Sequence, residues 1–160
     1  MILSVHLIAG AALGAKVHNL WLLFLASLVL HFIVDALPHW EYSTDEIEKP
    51  SKKNFLIFAA KVSTDLLFGL FIVFFFFRQS PYFFHSLFGA FVSLLPDGFL
   101  FLAMILPKRF KRLTGLLKKI NAFHYLVHFK KNKKFPIWGI TTEIALITAI
   151  IIIIWRLSLA

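Results

Sequence analysis

Apolar stretches alternate with short charged ones along the chain, and their lengths predict helices rather than strands. A helix needs about 20 residues to cross about 30 Å of hydrocarbon. By that measure four stretches read as full spans, roughly 20–37, 55–77, 82–106 and 136–155. A shorter one, roughly 2–15, is rich in Ala9, Gly10, Ala11, Ala12, Gly14 and Ala15. Small side chains let helices approach closely in lipid, so this segment predicts an inner helix wrapped by its neighbours. Between about 108 and 131 the pattern changes. Phe110, Leu113, Leu116, Leu117, Ile120 and Phe123 recur at helical spacing among lysines and arginines, as in an amphipathic helix lying on a membrane surface. The expected fold is an all-α, polytopic transmembrane bundle forming one membrane-embedded domain over 1–160.

Composition strengthens that picture. The 160 residues are 59% hydrophobic, and the mean hydropathy is +0.81. A soluble domain so apolar would expose adhesive patches. Met1–Ala15 lacks a basic leading region and carries His6, so it reads as mature structure rather than a cleaved signal. The absence of cysteine excludes disulfides, thiolate metal sites and cysteine nucleophiles.

Charge then sets an orientation. Lys108, Arg109, Lys111, Arg112, Lys118, Lys119, Lys130, Lys131, Lys133 and Lys134 place their segment in the cytoplasm by the positive-inside rule. Counting spans back from it puts the 41–54 loop and the N-terminus inside as well, and the C-terminus outside. The expected location is a bacterial inner membrane, with anionic lipid as a partner of the basic segment. That segment matches no nucleic-acid-binding module, so nucleic acid is excluded as a partner.

Candidate chemistry falls on one side of this topology. A carboxylate at membrane depth costs about 2.5–3.5 kcal/mol on insertion scales and needs a partner or a purpose. Asp35, Asp65 and Asp97 are such residues, and His6, His31, His39, His124 and His128 are their candidate partners. All fall in the cytoplasmic half, Asp65 about 15 Å into its span at 1.5 Å per residue, whereas His18 and His85 fall near the outer turns.

His31-x3-Asp35-x3-His39 puts three ligand types on one helical face, and His124-x3-His128 is a second such pair. Imidazole nitrogen with carboxylate oxygen suits zinc, manganese or iron. Pro96-Asp97-Gly98 reads as a break in its helix that exposes Asp97 to a site. Lys61 and Asp65, four apart, form either an ion pair or a substrate-anion contact beside a metal ligand. Glu143 fits a general base, a ligand or a partner for Lys61. A loose internal repeat, Leu37-Pro38-His39 against Leu95-Pro96-Asp97, suggests two helical hairpins running the same way.

The His6-Leu7-Ile8-Ala9-Gly10-Ala11-Ala12-Leu13-Gly14 run, the Pro96-Asp97 step and the later paired histidines resemble the bacterial inner-membrane proteins described as membrane-bound metal-dependent hydrolases. Phe99 stands where that family's Pro-Asp-x-Asp step has its second aspartate. The resemblance implies a metal role for His6 and Asp97.

Three functions fit these residues. The first is a metal-dependent hydrolase of a lipid-like phosphoester, with Lys61 and Glu143 as candidate catalytic groups and His6, His31, Asp35, His39, Asp65, Asp97, His124 and His128 as candidate ligands. The second is a small transporter or channel for protons or metal ions. The third is a non-enzymatic membrane scaffold. No Gly-rich phosphate loop, Gly-x-Ser-x-Gly or His-Glu-x-x-His is present, which disfavours ATP use and serine esterase chemistry.

Overall fold

The computed structural model describes residues 1–39, 51–105, 111–127 and 136–158. Every regular element among them is an α-helix: α1 Leu3–Gly14, α2 Leu20–Asp35, α3 Lys52–Phe77, α4 Phe83–Ile105, α5 Lys111–Val127 and α6 Pro136–Ser158.

Local chemistry sets several of the boundaries. The Asn19 side chain accepts from Leu22 N at 3.0 Å and starts α2, and Ser51 does the same for Asn54 N at 3.1 Å at the start of α3. These caps satisfy amides that the first helical turn leaves without partners. The α2 helix stops at Asp35, and Pro38, which disfavours helical backbone at the residue before it, follows.

The short α1 is the centre of the bundle. Its residues Ser4 to Ala11 and Gly14 are all buried. It packs against α2, α3, α4 and α6. Glycines set the closeness. A Cβ on Gly10 would run into the Gly89 carbonyl of α4, and one on Gly14 would run into the His85 carbonyl. On the other flank, a Cβ on Gly69 of α3 would lie 2.8 Å from Ser4 Cα. Backbone therefore meets backbone on both sides of α1, as small residues permit in lipid-embedded helices. Leu7, Ile8 and Ala11 complete this core with Val73, Phe77 and Ala90.

These contacts fix directions. Ser4 meets Gly69 while Leu7, Ile8 and Ala11 share a cluster with Val73 and Phe77, so α1 and α3 run the same way. His31 meets Ser93 and Leu23 meets Gly89, so α2 and α4 do too. The two hairpins are parallel, as the internal repeat suggests.

The number of full spans needs correction. Among the described residues two helices, Lys53–Phe77 and Phe83–Ala103, are long and apolar enough to cross a membrane, rather than four. The α2 helix has 16 residues, about 24 Å at 1.5 Å per residue, because it ends at Asp35 instead of running on to Leu37. In α6 the apolar stretch among the described side chains is Gly139–Ile152. The α4 helix also departs from expectation. Its helical hydrogen-bond pattern continues from Phe83 through Pro96, Asp97 and Gly98 to Ile105, so Asp97 projects from an unbroken helix.

The outer surface is apolar. Trp21, Leu25 and Val29 of α2, and Leu56, Leu67, Phe71 and Phe75 of α3, are exposed. On α2 the polar groups face inward instead. Ser27, His31 and Asp35 lie on one face of α2 at intervals of four, with Leu23 above them, and all are buried. The amphipathic segment forms α5 at its centre, 111–127; residues 106–110 and 128–135, including His128, lie outside the described residues. Leu117 and His124, two turns apart, are buried on α5. Lys118, Lys119, Phe123, Tyr125 and Leu126 are exposed.

Candidate metal centre

Helices α1, α2, α4 and α5 each bring one or two side chains to a single point at the end of the bundle where α1 begins. The four-residue spacing of His31 and Asp35 stacks them on the inner face of α2, with His31 Nε2 3.1 Å from Asp35 Oδ2. Asp97, one turn beyond Ser93 on α4, points to the same place, its Oδ1 4.0 Å from His31 Nε2. His124 arrives from α5, its Nε2 3.2 Å from Asp35 Oδ2 and 3.8 Å from Asp97 Oδ1. One ligand atom from each of His31, Asp35, Asp97 and His124 lies within 4.8 Å of the others. Ligands about 2.0–2.2 Å from one metal sit roughly 3–3.5 Å apart in neighbouring positions. The separations of 3.1 and 3.2 Å from Asp35 fall on that scale, and those of 3.8 and 4.0 Å from Asp97 are somewhat wider.

Hydrogen bonding identifies what His31 offers. Its Nδ1 lies 2.8 Å from the Ser93 carbonyl oxygen. A carbonyl only accepts, so Nδ1 donates to it and Nε2 is the atom turned toward the carboxylates. Nε2 faces carboxylate oxygens of Asp35 and Asp97 in a buried setting. Electron-rich atoms facing one another away from water are costly unless a proton or cation sits among them. A ligating histidine held through its other nitrogen by a backbone carbonyl is the usual outer arrangement at protein metal sites.

His6 meets the carboxylates from the opposite side. Its Nε2 lies 3.2 Å from Asp35 Oδ1 and 3.8 Å from Asp97 Oδ2, the oxygens turned away from His31 and His124. It also stacks on His31, ring centroids 4.3 Å apart. The Met1 amino group donates to the same Asp35 oxygen at 3.0 Å. Asp35 is thus gripped at both oxygens, Oδ1 by α1 and Oδ2 by the imidazoles of α2 and α5. Aromatic contacts seat His124. Phe32 lies edge-on to Phe123 at 5.2 Å and to His124 at 5.9 Å.

Access is one-sided. The side chains of His6, His31, Asp35 and His124 are at most 2% exposed, whereas that of Asp97 is 19% exposed. Asp97 is the open edge.

The other residues singled out from the sequence have other places. Asp65 Oδ2 accepts from Leu3 N and Ser4 N at 2.6 and 3.2 Å, at the start of α1. His39 is buried, and its Nδ1 donates to Leu37 O at 2.7 Å, within its own turn. Lys61 is exposed on α3. Glu143 is buried on α6 one turn before Leu146 and Ile147, which pack on Met1, Val5 and Val34, so it lies at the same end of the bundle. None of these four belongs to the converging ligand set.

Sequence reasoning missed two contributors. One is the Ser93 carbonyl, which no side-chain pattern reveals. The other is Phe32, indistinguishable by composition from the outward-facing aromatics.

Comparison with known protein families, with characterised proteins and with solved structures finds no match to this chain.

Proposed function

We propose that this chain is an integral membrane protein that holds one divalent metal ion between His31, Asp35, Asp97 and His124 and uses it to hydrolyse a phosphoester. The convergence of two imidazoles and two carboxylates from three helices on one buried point carries this reading. Two carboxylates would balance the charge of a divalent ion, and an N2O2 set suits zinc, manganese or iron. Such an ion supplies Lewis acidity to a phosphoryl oxygen and acidifies water.

The residues of the chain would do the rest. Ser93 O orients His31, and His6 holds Asp35 from behind. Among the described ligands Asp97 is the exposed one, and substrate would be admitted on its side. Glu143 is our candidate for proton transfer, and Lys61 for the substrate's anionic oxygen.

The membrane reading is supported by α3 and α4, by the apolar outer faces and by the inward-facing polar stripe of α2. Lys53, Lys118 and Lys119 lie at the end of the bundle that holds the centre. By the positive-inside rule that end is cytoplasmic, with α6 leading to an outer C-terminus. The substrate is then a lipid-like phosphoester at inner-leaflet headgroup depth in a bacterial inner membrane, with anionic lipid held by the basic face of α5. The resemblance to membrane-bound metal-dependent hydrolases agrees with this proposal.

The test is elemental analysis of the purified protein, followed by phosphate-release assays on phospholipid and lipid-phosphate vesicles. We expect close to one divalent ion per chain in the wild type, and its loss in Asp97→Asn. Protein that holds no divalent metal after purification and reconstitution would overturn the proposal.

One observation favours a second reading, transport of protons or metal ions. Ser86, Ser27 and Ser93 are fully buried, and their hydroxyls have no hydrogen-bond partner among the described residues. Packing places Ser27 one turn before His31, which is level with Ser93, and Ser86 next to His85 at the other end. Polar groups thus extend from the centre toward the far end, as a conduction path requires. Proton or zinc flux in liposomes, abolished by Asp97→Asn, would select this reading.

A further inference from the structure

We infer that Asp65 is a positioning residue: it clasps the start of α1 and thereby sets the height at which His6 meets Asp35. This rests on the metal-centre reading for its consequence, though not for the clasp itself.

The sequence of α1 leaves its own first turn without a cap. Ile2 precedes the helix and has no side-chain acceptor to offer. The first amides of a helix need partners, all the more when buried. Asp65 supplies one from the neighbouring helix, its Oδ2 accepting from both Leu3 N and Ser4 N. A carboxylate at a helix N-terminus also complements the helix dipole.

One turn further along α3, Gly69 receives α1 at Ser4 and Leu7, with Ser4 Cα at 2.8 Å from where a Cβ would stand. Asp65 and Gly69 therefore fix α1 both along its axis and about it. His6 lies in the first turn after the clasp. A slip of α1 by one residue would move it about 1.5 Å and turn it about 100°. That breaks the 3.2 Å contact with Asp35 Oδ1 and the stack on His31. The carboxylate of Asp65 thus serves the metal centre through the backbone of α1, not as a ligand.

The test uses the full-length chain in lipid nanodiscs, with zinc affinity measured by competition against a chromophoric chelator. Hydrogen exchange at the Leu3 and Ser4 amides is the second readout. Loss of an outer partner at a metal site typically costs 10–100-fold in affinity. Asp65→Ala should weaken zinc about 10-fold and speed exchange at those two amides. Asp65→Asn, whose amide oxygen still accepts, should restore both toward wild type. In a His6→Ala background, Asp65→Ala should change zinc affinity no further, because its effect passes through His6.

A large zinc loss in Asp65→Asn, or an additive loss on top of His6→Ala, would overturn the inference and make Asp65 a ligand. If the wild type binds no zinc, the metal reading fails. The clasp then stands or falls on exchange at Leu3 and Ser4 alone, and unchanged exchange in Asp65→Asn and Asp65→Ala sinks it. If Asp65→Ala does not fold, Asp65→Asn still decides between clasp and ligand.

Discussion

Both ends of this bundle gather histidines, and among the described residues one end brings carboxylates to them. At the α1 start, His6, His31 and His124 are buried and face the carboxylates of Asp35 and Asp97. At the far end, His18 stacks on Tyr82 with centroids 3.5 Å apart, and His85 lies edge-on at 5.9 Å. His18 and Tyr82 are exposed, and the chain places no Asp or Glu near them in sequence. Imidazole alone supplies a donor atom. A carboxylate supplies the charge that a divalent ion must meet on leaving water, and burial removes the competing solvent. The difference between the ends is therefore charge and burial, not histidine.

The largest effect tests whether the two ends depend on a shared frame. Gly10→Leu forces a branched side chain into the Gly89 carbonyl. It should yield aggregated or unfolded protein, since overpacking commonly costs about 1–3 kcal/mol and rigid backbone cannot yield as a side chain does. Size-exclusion profile and thermal unfolding in detergent check this, and a wild-type profile would mean the seam is looser than described.

Next comes the charge argument itself. Asp97→Asn keeps the shape but removes one carboxylate from the open edge. Zinc affinity should fall by more than about 100-fold, beyond the 10–100-fold typical of outer partners, with helical circular dichroism unchanged. An affinity within a few-fold of wild type would break the comparison.

A smaller loss is expected from Phe32→Ala. It removes the edge-on seat of Phe123 and His124 while leaving every ligand in place. Zinc affinity should fall about 10-fold, the scale of an outer partner, and a loss equal to that of His124→Ala would show that α5 detaches altogether.

The smallest effect lies at the far end. His18→Ala removes a ring stack of a kind worth about 0.5–1.5 kcal/mol. A modest fall in unfolding temperature and no change in zinc stoichiometry are expected. Metal lost from this variant would mean that the outer histidines bind too.

Much of this was legible along the chain. Helices form where apolar runs are long, and Ser51 and Asn19 start them by side-chain chemistry that acts over three residues. The small residues of α1 announced close packing. The pair His31 and Asp35 was legible because a helix places residues four apart on one face. Less legible were span lengths, since hydropathy carried the second helix past Asp35, and the Pro96 region, where packing keeps the helix continuous through a residue that usually interrupts one.

What the sequence determined by itself is thus local. It set helix class, the inward polar stripe of α2 and the inventory of donors and carboxylates. Tertiary structure decided which of those donors share a point. Asp65 and Asp97 are both carboxylates at similar depth in apolar helices, yet one accepts from the amides of α1 and the other faces the imidazoles. That choice depends on how α1 is seated between α3 and α4, through backbone contacts at Gly10, Gly69 and Gly89. The rotation and height of a helix in a bundle are set by summed packing over its whole length, and no short stretch of residues encodes them.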